Sequence, residues 1–388
     1  MNPLRSLASR LSPLLLLPPV LLAQADPPGE SLQESLKSAE AWALTLEAAL
    51  RDDRPDEVED FLDFEAIMDA AIEGWGTSEK DRVALEDFRA GMESSVGTME
   101  SSLWSQWRSQ PKLKQVLLVE GELSARFRFC DDDGISIIDM RLRRDGRDWR
   151  VVDIFNHAFG LGMVDELRNT AALMLENQNA GWIARVLGGK GISQRDLSYA
   201  TKMAEKCREG DFRGAIAAHA KLKGAIKETP MVTAAHIQAL SMVEEEVDAY
   251  LTALEDAAKR FPAPQFRLSL IDAHILKGNW DAAVACIDEC MDAIGRDAAL
   301  LSTRALIELQ ANRNARGVAD MEEALLLEPE CEFAVANGLD IWLAVEDWAA
   351  VARALSTLES IGDYNFKGSL FGEEWAGFRA APESEPWR

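Results

Sequence analysis

Gly278-Asn279-Trp280-Asp281-Ala282-Ala283 is the stretch that decides how this chain folds. A glycine tolerates the positive φ of a tight turn between two helices. The indole two residues later opens the next helix and fills the groove beside the previous one, and small Ala283 lets the paired helix come close. The arrangement recurs as Gly210-Asp211-Phe212 with Ala215, and as Glu346-Asp347-Trp348 with Val351. Phe212, Trp280 and Trp348 are each separated by 68 residues, twice 34, and the marks between them fall on Glu246 and Asn314. The copy starting at Asn312-Arg313-Asn314 keeps Ala324 and Pro329 at the expected offsets, and Pro329 ends a helix. The copy around Glu246 keeps Ala249 and Ala253 and closes at Phe261-Pro262. A 34-residue period means stacked helix pairs, and such stacks present extended binding surfaces.

These residues resemble the tetratricopeptide repeat family over about residues 196–362, or five repeats, most closely in the turn and the second helix. The first helices depart from the family: where it has an aromatic, a small residue and another aromatic, the third copy has Arg267, Ile271 and His274. The resemblance implies an all-α solenoid that binds protein or peptide on the concave face made by its first helices. Its register places Gln238, Asp272, Asn337 and Asp340 in that groove. Family members that bind acidic C-terminal tails present Lys, Arg and Asn to clamp a carboxylate, a set this chain does not show. A neutral-to-acidic groove suits an extended basic or polar segment; the competing reading is a solvated helix face.

The chain has 388 residues, 47% of them hydrophobic, with 41 basic against 66 acidic side chains and a formal net charge of −25. That length allows two or three domains. So acidic a chain is repelled by nucleic acid and by anionic membrane surfaces. Residues 1–25 read as a secretory signal peptide: Arg5 and Arg10, an apolar run from Leu14 to Leu22, then Ala23-Gln24-Ala25 with cleavage expected after Ala25. The run is too short to span a bilayer, for which about 20 residues are needed, and no later segment is long and apolar enough, so a periplasmic or secreted location is expected. The five cysteines do not make a disulfide framework. They read as small buried side chains, with Cys290 and Cys331 as the pair to check for a bridge. No Cys/His spacing fits a zinc site, and no cofactor is expected.

Before the repeats the apolar period changes. Helices are expected over 31–51, Asp56–Ile72 and about Lys80–Gln110. Four strands then follow with period two: Lys114–Glu120, Glu122–Cys130, Ile135–Arg143 and Trp149–Phe155. Two of the links carry Asp-Gly, a hairpin signal, so the strands form an antiparallel meander. A helix over about Met163–Asn177 and the junction Gly188-Gly189-Lys190-Gly191 lead to the repeats. The expected fold class is therefore an α+β domain (26–187), with helices and a four-stranded antiparallel sheet, followed by the all-α solenoid (196–362) and an aromatic C-terminal cap (363–388). The stretch Trp149-Arg150-Val151-Val152-Asp153-Ile154 after a charged hairpin resembles the last strand of two cone-shaped α+β groups, the nuclear-transport-factor-like fold and the periplasmic phospholipid-carrier family. That resemblance implies an apolar cavity between helices and sheet.

Alternation in the second and third strands puts Phe127, Phe129, Ile138, Met140 and Leu142 on one face and Arg126, Arg128, Asp139, Arg141 and Arg143 on the other. Four arginines on one face offer an anion or partner site. The same pattern fits a solvated face paired across strands with Glu122 and Asp139, or a face that docks on the acidic solenoid. Asp131-Asp132-Asp133-Gly134 lacks the spacing of a calcium loop and reads as a turn. The 188–191 glycine run lacks the spacing of a phosphate loop. His157, after the last strand and near Asp153 and Asn156, could do acid–base chemistry at a cavity mouth, although a lone histidine after a strand more often caps or packs. The expectation is an exported, non-enzymatic scaffold that binds a protein or peptide, with no nucleic-acid partner, no metal and no membrane span in the mature chain. The alternative is a small-molecule or lipid carrier using the first domain.

Overall fold

The computed structural model describes residues 31–54, 61–73, 79–93, 110–119, 121–131, 134–146, 148–157, 160–176, 194–261, 264–362, 364–370 and 372–387. The signal-peptide reading, the upper part of the third expected helix and the 188–191 junction lie outside these residues.

The first unit is α+β. Helix α1 (Leu32–Arg51) starts on a reciprocal cap in which Ser31 and Glu34 bond each other's backbone. Helices α2 (Phe64–Ile72) and α3 (Glu79–Glu93) follow. Strands β1 (Lys112–Val119), β2 (Glu122–Asp131), β3 (Gly134–Asp145) and β4 (Asp148–Asn156) form the expected antiparallel meander, and a two-residue strand β5 (Leu161–Gly162) extends it before α4 (Met163–Glu176). The alternation sets the faces. Ala125, Phe127, Phe129, Ile138, Met140 and Leu142 are 0–5% exposed and share a core with Leu46, Leu50, Phe64, Ile67 and Met68 from the helices.

Two local readings are corrected. The helix expected from Asp56 starts only at Phe64. Phe61 and Leu62 instead run alongside Val151, and the Asp63 carboxylate caps α2 through the Ala66 amide at 2.9 Å. An aspartate that can accept from its own helix end favours a boundary over a helix interior. The helix expected to reach Gln110 has ended by then, because Gln110 has φ +45.

The second unit is a stack of helix pairs. The first helices are α5 (Gln194–Arg208), α7 (Pro230–Ser241), α9 (Arg267–Leu276), α11 (Ala298–Gln310) and α13 (Glu332–Ala344). The second helices are α6 (Phe212–His219), α8 (Val247–Arg260), α10 (Trp280–Ile294), α12 (Asn314–Leu327) and α14 (Trp348–Ile361). The ruler at 212, 246, 280, 314 and 348 falls on the first residue of each second helix, or in the second repeat on its N-cap, Glu246. Two positions earlier the chain turns through the left-handed region at Gly210, Gly278, Asn312 and Glu346. The second repeat uses a 3-10 turn at Glu244–Glu246 instead, which is why its sequence copy is the faintest. At the small position Ala215, Ala283 and Val351 are fully buried, and Gly317 fills it in the fourth repeat, where a Cβ would sit 2.8 Å from the Ala305 carbonyl oxygen.

Phe366, Leu370, Trp375, Phe378 and Trp387 pack against the end of the stack. Phe378 is fully buried among Trp348, Trp375 and Trp387, and Trp387 donates to Glu359 on α14 at 3.1 Å. Terminal repeats need such a cover, because their outer face has no neighbour. All five cysteines are unbridged, Cys290 and Cys331 included. Burial pushes the Cys286 thiol up to about 11 and the Cys290 thiol to about 12, which keeps both protonated.

Candidate interaction surfaces

Two surfaces hold the residues that the sequence singled out. The first is the arginine face of the sheet. Arg126 and Arg128 are buried against the loops that join one repeat to the next. Asp297 is the centre of this contact. Its Oδ1 caps α11, accepting from the amides of Ala299 and Leu300 at 3.0 and 3.1 Å. Its Oδ2 accepts from Lys114 Nζ at 2.9 Å and Arg128 Nε at 3.1 Å. Arg128 also donates to Glu328. Around this ion group Arg126 and Gln115 both donate to the Ala293 carbonyl, the Gln110 side chain accepts from the Phe333 amide, and the Phe266 amide donates to the His157 carbonyl. Cys130 and Ile137 from the sheet are buried in the solenoid's core.

Asp297 is fully buried, which pushes its carboxyl up. Arg128 and Lys114 more than reverse this and hold it below its ordinary value. The same contest sets Asp139: burial raises it, while Arg126 and then His157 bring it below the carboxylate range. Arg126 grips Asp139 through two bonds of 2.6 Å, and His157 Nε2 lies 3.0 Å from Oδ2 of that carboxylate, which also accepts from Arg126. His157 is thus enclosed between sheet and solenoid with Asp139 and Phe155, and its carboxylate neighbour is Asp139 rather than the expected Asp153. Asp153 instead accepts from the Val164 amide at the start of α4. Arg141 pairs with Glu122 at 3.0 Å and Arg143 with Asp63, both part-exposed. Of the three readings of this face, docking on the solenoid describes Arg126 and Arg128, and pairing within the first unit describes Arg141 and Arg143. The chain's own carboxylates take the place of an external anion.

The second surface is the inner face of the stack. The first helices α11 and α13 pack directly on each other, while α12 and α14 make no comparable contact, so the last repeats curve with their first helices inside. Gln238 on α7, Asp272 on α9, Leu306 on α11 and Asp340 on α13 occupy one column at intervals of 34 residues. A neighbouring column holds Ala235, Ser269, Thr303 and Asn337. Asn337 is committed internally, donating to Ser302 Oγ at 3.1 Å, whereas Gln238, Asp272 and Asp340 are exposed. Solvent reaches Asp272 and Asp340, yet surrounding protein raises the carboxyl of each above its ordinary value. Tyr250 lies beside Asp272, and burial, then the carboxylate's charge, raises its phenol. Among the described residues no side chain pairs with Asp272 or Asp340. The sequence missed the role of Lys114 and Asp297, although a lone aspartate before an apolar helix is a readable cap signal.

Among the described residues no group of three or more His, Cys, Asp or Glu is placed to hold a metal, and no helix is long and apolar enough to cross a membrane. No protein-family model and no curated protein matches the chain. Solved structures similar to part of it include the following two. One, described as the crystal structure of MamA protein, is 15% identical with a TM-score of 0.36, over 44% of this chain and 96% of that one. The other, described as MamA MSR-1 C2, is 16% identical with a TM-score of 0.33, over 44% of this chain and 95% of that one. These likenesses are too slight to decide either fold or function.

Proposed function

We propose that the chain is a non-catalytic scaffold that holds an extended, basic polypeptide segment on the inner face of its helix-pair stack. The observation that carries this reading is the pair Asp272 and Asp340: same repeat position, two repeats apart, reachable by solvent, lifted above their ordinary pKa and unpaired among the described residues. An unpaired carboxylate with reduced hydration gains most when a cation arrives. Of the first helices between them only α11 and α13 pack directly on each other, so two steps of at least about 8–10 Å each set the carboxylates about 20 Å or more apart. An extended segment covers that distance in about six residues. The partner therefore carries Lys or Arg side chains at about that spacing.

The placement of His157, closed in by Asp139, Phe155 and the docked solenoid, supports a role without chemistry. The carrier alternative relies on the helix-covered sheet face, which Phe64, Ile67, Met68, Phe127 and Met140 fill. Export by cleavage after Ala25 belongs to the same proposal, and N-terminal sequencing of protein from its native host tests it. Fluorescence anisotropy against peptides with two lysines separated by three to eight glycine or serine residues tests the binding. The reading holds if affinity peaks near six and falls in Asp272→Asn and Asp340→Asn. Affinity independent of spacer length in the native chain, or unchanged in both variants, refutes it.

A further inference from the structure

The first repeat is attached differently from the others. Met203, Ala215, Ala218, Leu222, Ile226, Val232 and Ala239 form a small core of their own, while a continuous core runs from Ala234 and Ile237 through the later repeats to Trp387. Helix α7 contributes opposite faces to the two cores, so the joint between α6 and α7 holds the first repeat to the stack. In that joint His219 of α6 and His236 of α7 stack face to face, with ring centroids 3.4 Å apart and planes 20° from parallel. His219 is buried and His236 half-buried.

The charged surroundings disfavour protonation of either ring. The 224–228 turn presents Lys227 and Glu228, and α8 presents Arg260, which bonds Glu228 at 2.8 Å and Thr233 at 3.3 Å and so takes up that acid. From helix α5 the Cys207 thiol lies 3.8 Å from the Ala235 carbonyl on α7. With both rings neutral, stacking is favourable. With both charged, two cations would lie face to face at van der Waals distance with Lys227 and Arg260 beside them.

We propose that this pair makes the joint between the first repeat and the rest of the stack a pH-sensitive hinge, which releases α5 and α6 on acidification while the later repeats stay folded. In a stack of repeats, stability is a sum over neighbours, so loss of one interface frees one end without unfolding the remainder. Burial first, then His236, Lys227 and Arg260, lowers His219 to about 3 in the closed joint; burial, then Lys227, lowers His236 to about 4. Once the joint opens, each imidazole regains its ordinary value of about 6.5. Folded values below the unfolded one mean that the open form binds more protons. Closure is therefore fully favoured above about pH 6.5 and weakens as pH falls from there toward about 4. At about pH 5 each released ring shifts the balance toward opening by about 30-fold.

Amide hydrogen exchange of the full chain at about pH 7.5 and about pH 5, corrected for the intrinsic rate, tests this. The expected result is a fall of more than about tenfold in protection over 194–241 with protection over 298–361 held. A His219→Phe/His236→Phe variant, which keeps two stacked rings but cannot titrate, retains protection at the lower pH. Unchanged protection in the native chain, uniform loss along the stack, or equal loss in the double variant overturns the proposal. If that variant does not fold, imidazole proton NMR of the native chain decides: midpoints of both rings below about 5.5 support the hinge, and a midpoint at or above that value for either ring overturns it.

Discussion

Asp297 and Asp272 are acidic side chains on first-helix segments of neighbouring repeats, and they sit in opposite electrostatic situations. Asp297, on the loop edge, is sealed under the sheet, and both its oxygens are satisfied by a helix end and two cations. Asp272, on the inner face, meets solvent and has no cation in reach among the described residues, and its pKa moves the other way. One edge of the stack is finished by the chain itself, while among the described residues no cation answers the carboxylates of the inner face. The difference teaches where to look for function: a carboxylate with a depressed pKa has spent its attraction inside the fold, while one with a raised pKa still has it to offer.

The largest effect that tests this contrast is expected at Asp297. Asp297→Asn keeps the cap but leaves Arg128 buried beside a neutral group, and about 3–5 kcal/mol of stability is lost in urea unfolding. Asp297→Ala also loses the cap and costs about 1 kcal/mol more. A loss below 1 kcal/mol in both would erase the distinction between the two acids. Replacing the pair together, as Arg128→Met with Asp297→Asn, recovers part of the loss, because Arg128 is no longer stranded while Lys114 and Glu328 each still lose a partner.

Acid separates the surfaces next. Asp297 and Asp139 have folded pKa values below their unfolded ones. Their contribution is complete above the ordinary carboxylate value of about 3.9 and disappears as pH falls through the folded values. Cross-linking between sheet and solenoid should therefore persist to about pH 4 and fail below it. Asp272 and Asp340 protonate at higher pH than an ordinary aspartate, so peptide binding should weaken while the docked edge is intact. Loss of docking before loss of binding would reverse the assignment.

The turn edge, which neither docks nor lines the groove, supplies a smaller effect of known origin. Gly278 has φ +67 with only ordinary contact at a Cβ position, so Gly278→Ala costs about 1–2 kcal/mol from the backbone alone. Glu346 carries the same strain at φ +57, and Glu346→Gly should return up to about 1 kcal/mol as a higher Tm. The smallest change in stability is expected for Asp272→Asn, within about 0.5 kcal/mol and on the stabilising side, while binding to a lysine-pair peptide falls several-fold. A large stability loss there would mean that the inner face, too, is structural.

Much of the fold was legible because it is written in local chemistry. The turn residues and the aromatic at the start of each second helix repeat at 34 residues, so one well-formed copy located the others, including the second repeat where the turn itself differs. Strand alternation sorted Phe127 from Arg128 for the same reason: neighbouring side chains on a strand point to opposite faces whatever they meet. The start of α2 was missed because Phe61 and Leu62 continue the apolar pattern of a helix but pair with Val151, about ninety positions along the chain.

The partners of the charged groups are what the sequence left open. It determined that four arginines share a face, that five helix pairs stack, and that Gln238, Asp272 and Asp340 fall at one repeat position. Only the tertiary structure decided that Arg128 meets Asp297 and Glu328, 169 and 200 residues away, and that Asp272 meets no cation among the described residues. Period and turn depend on neighbours within a few bonds, whereas the fate of a charge depends on which surfaces the whole chain brings together and how much water it leaves between them.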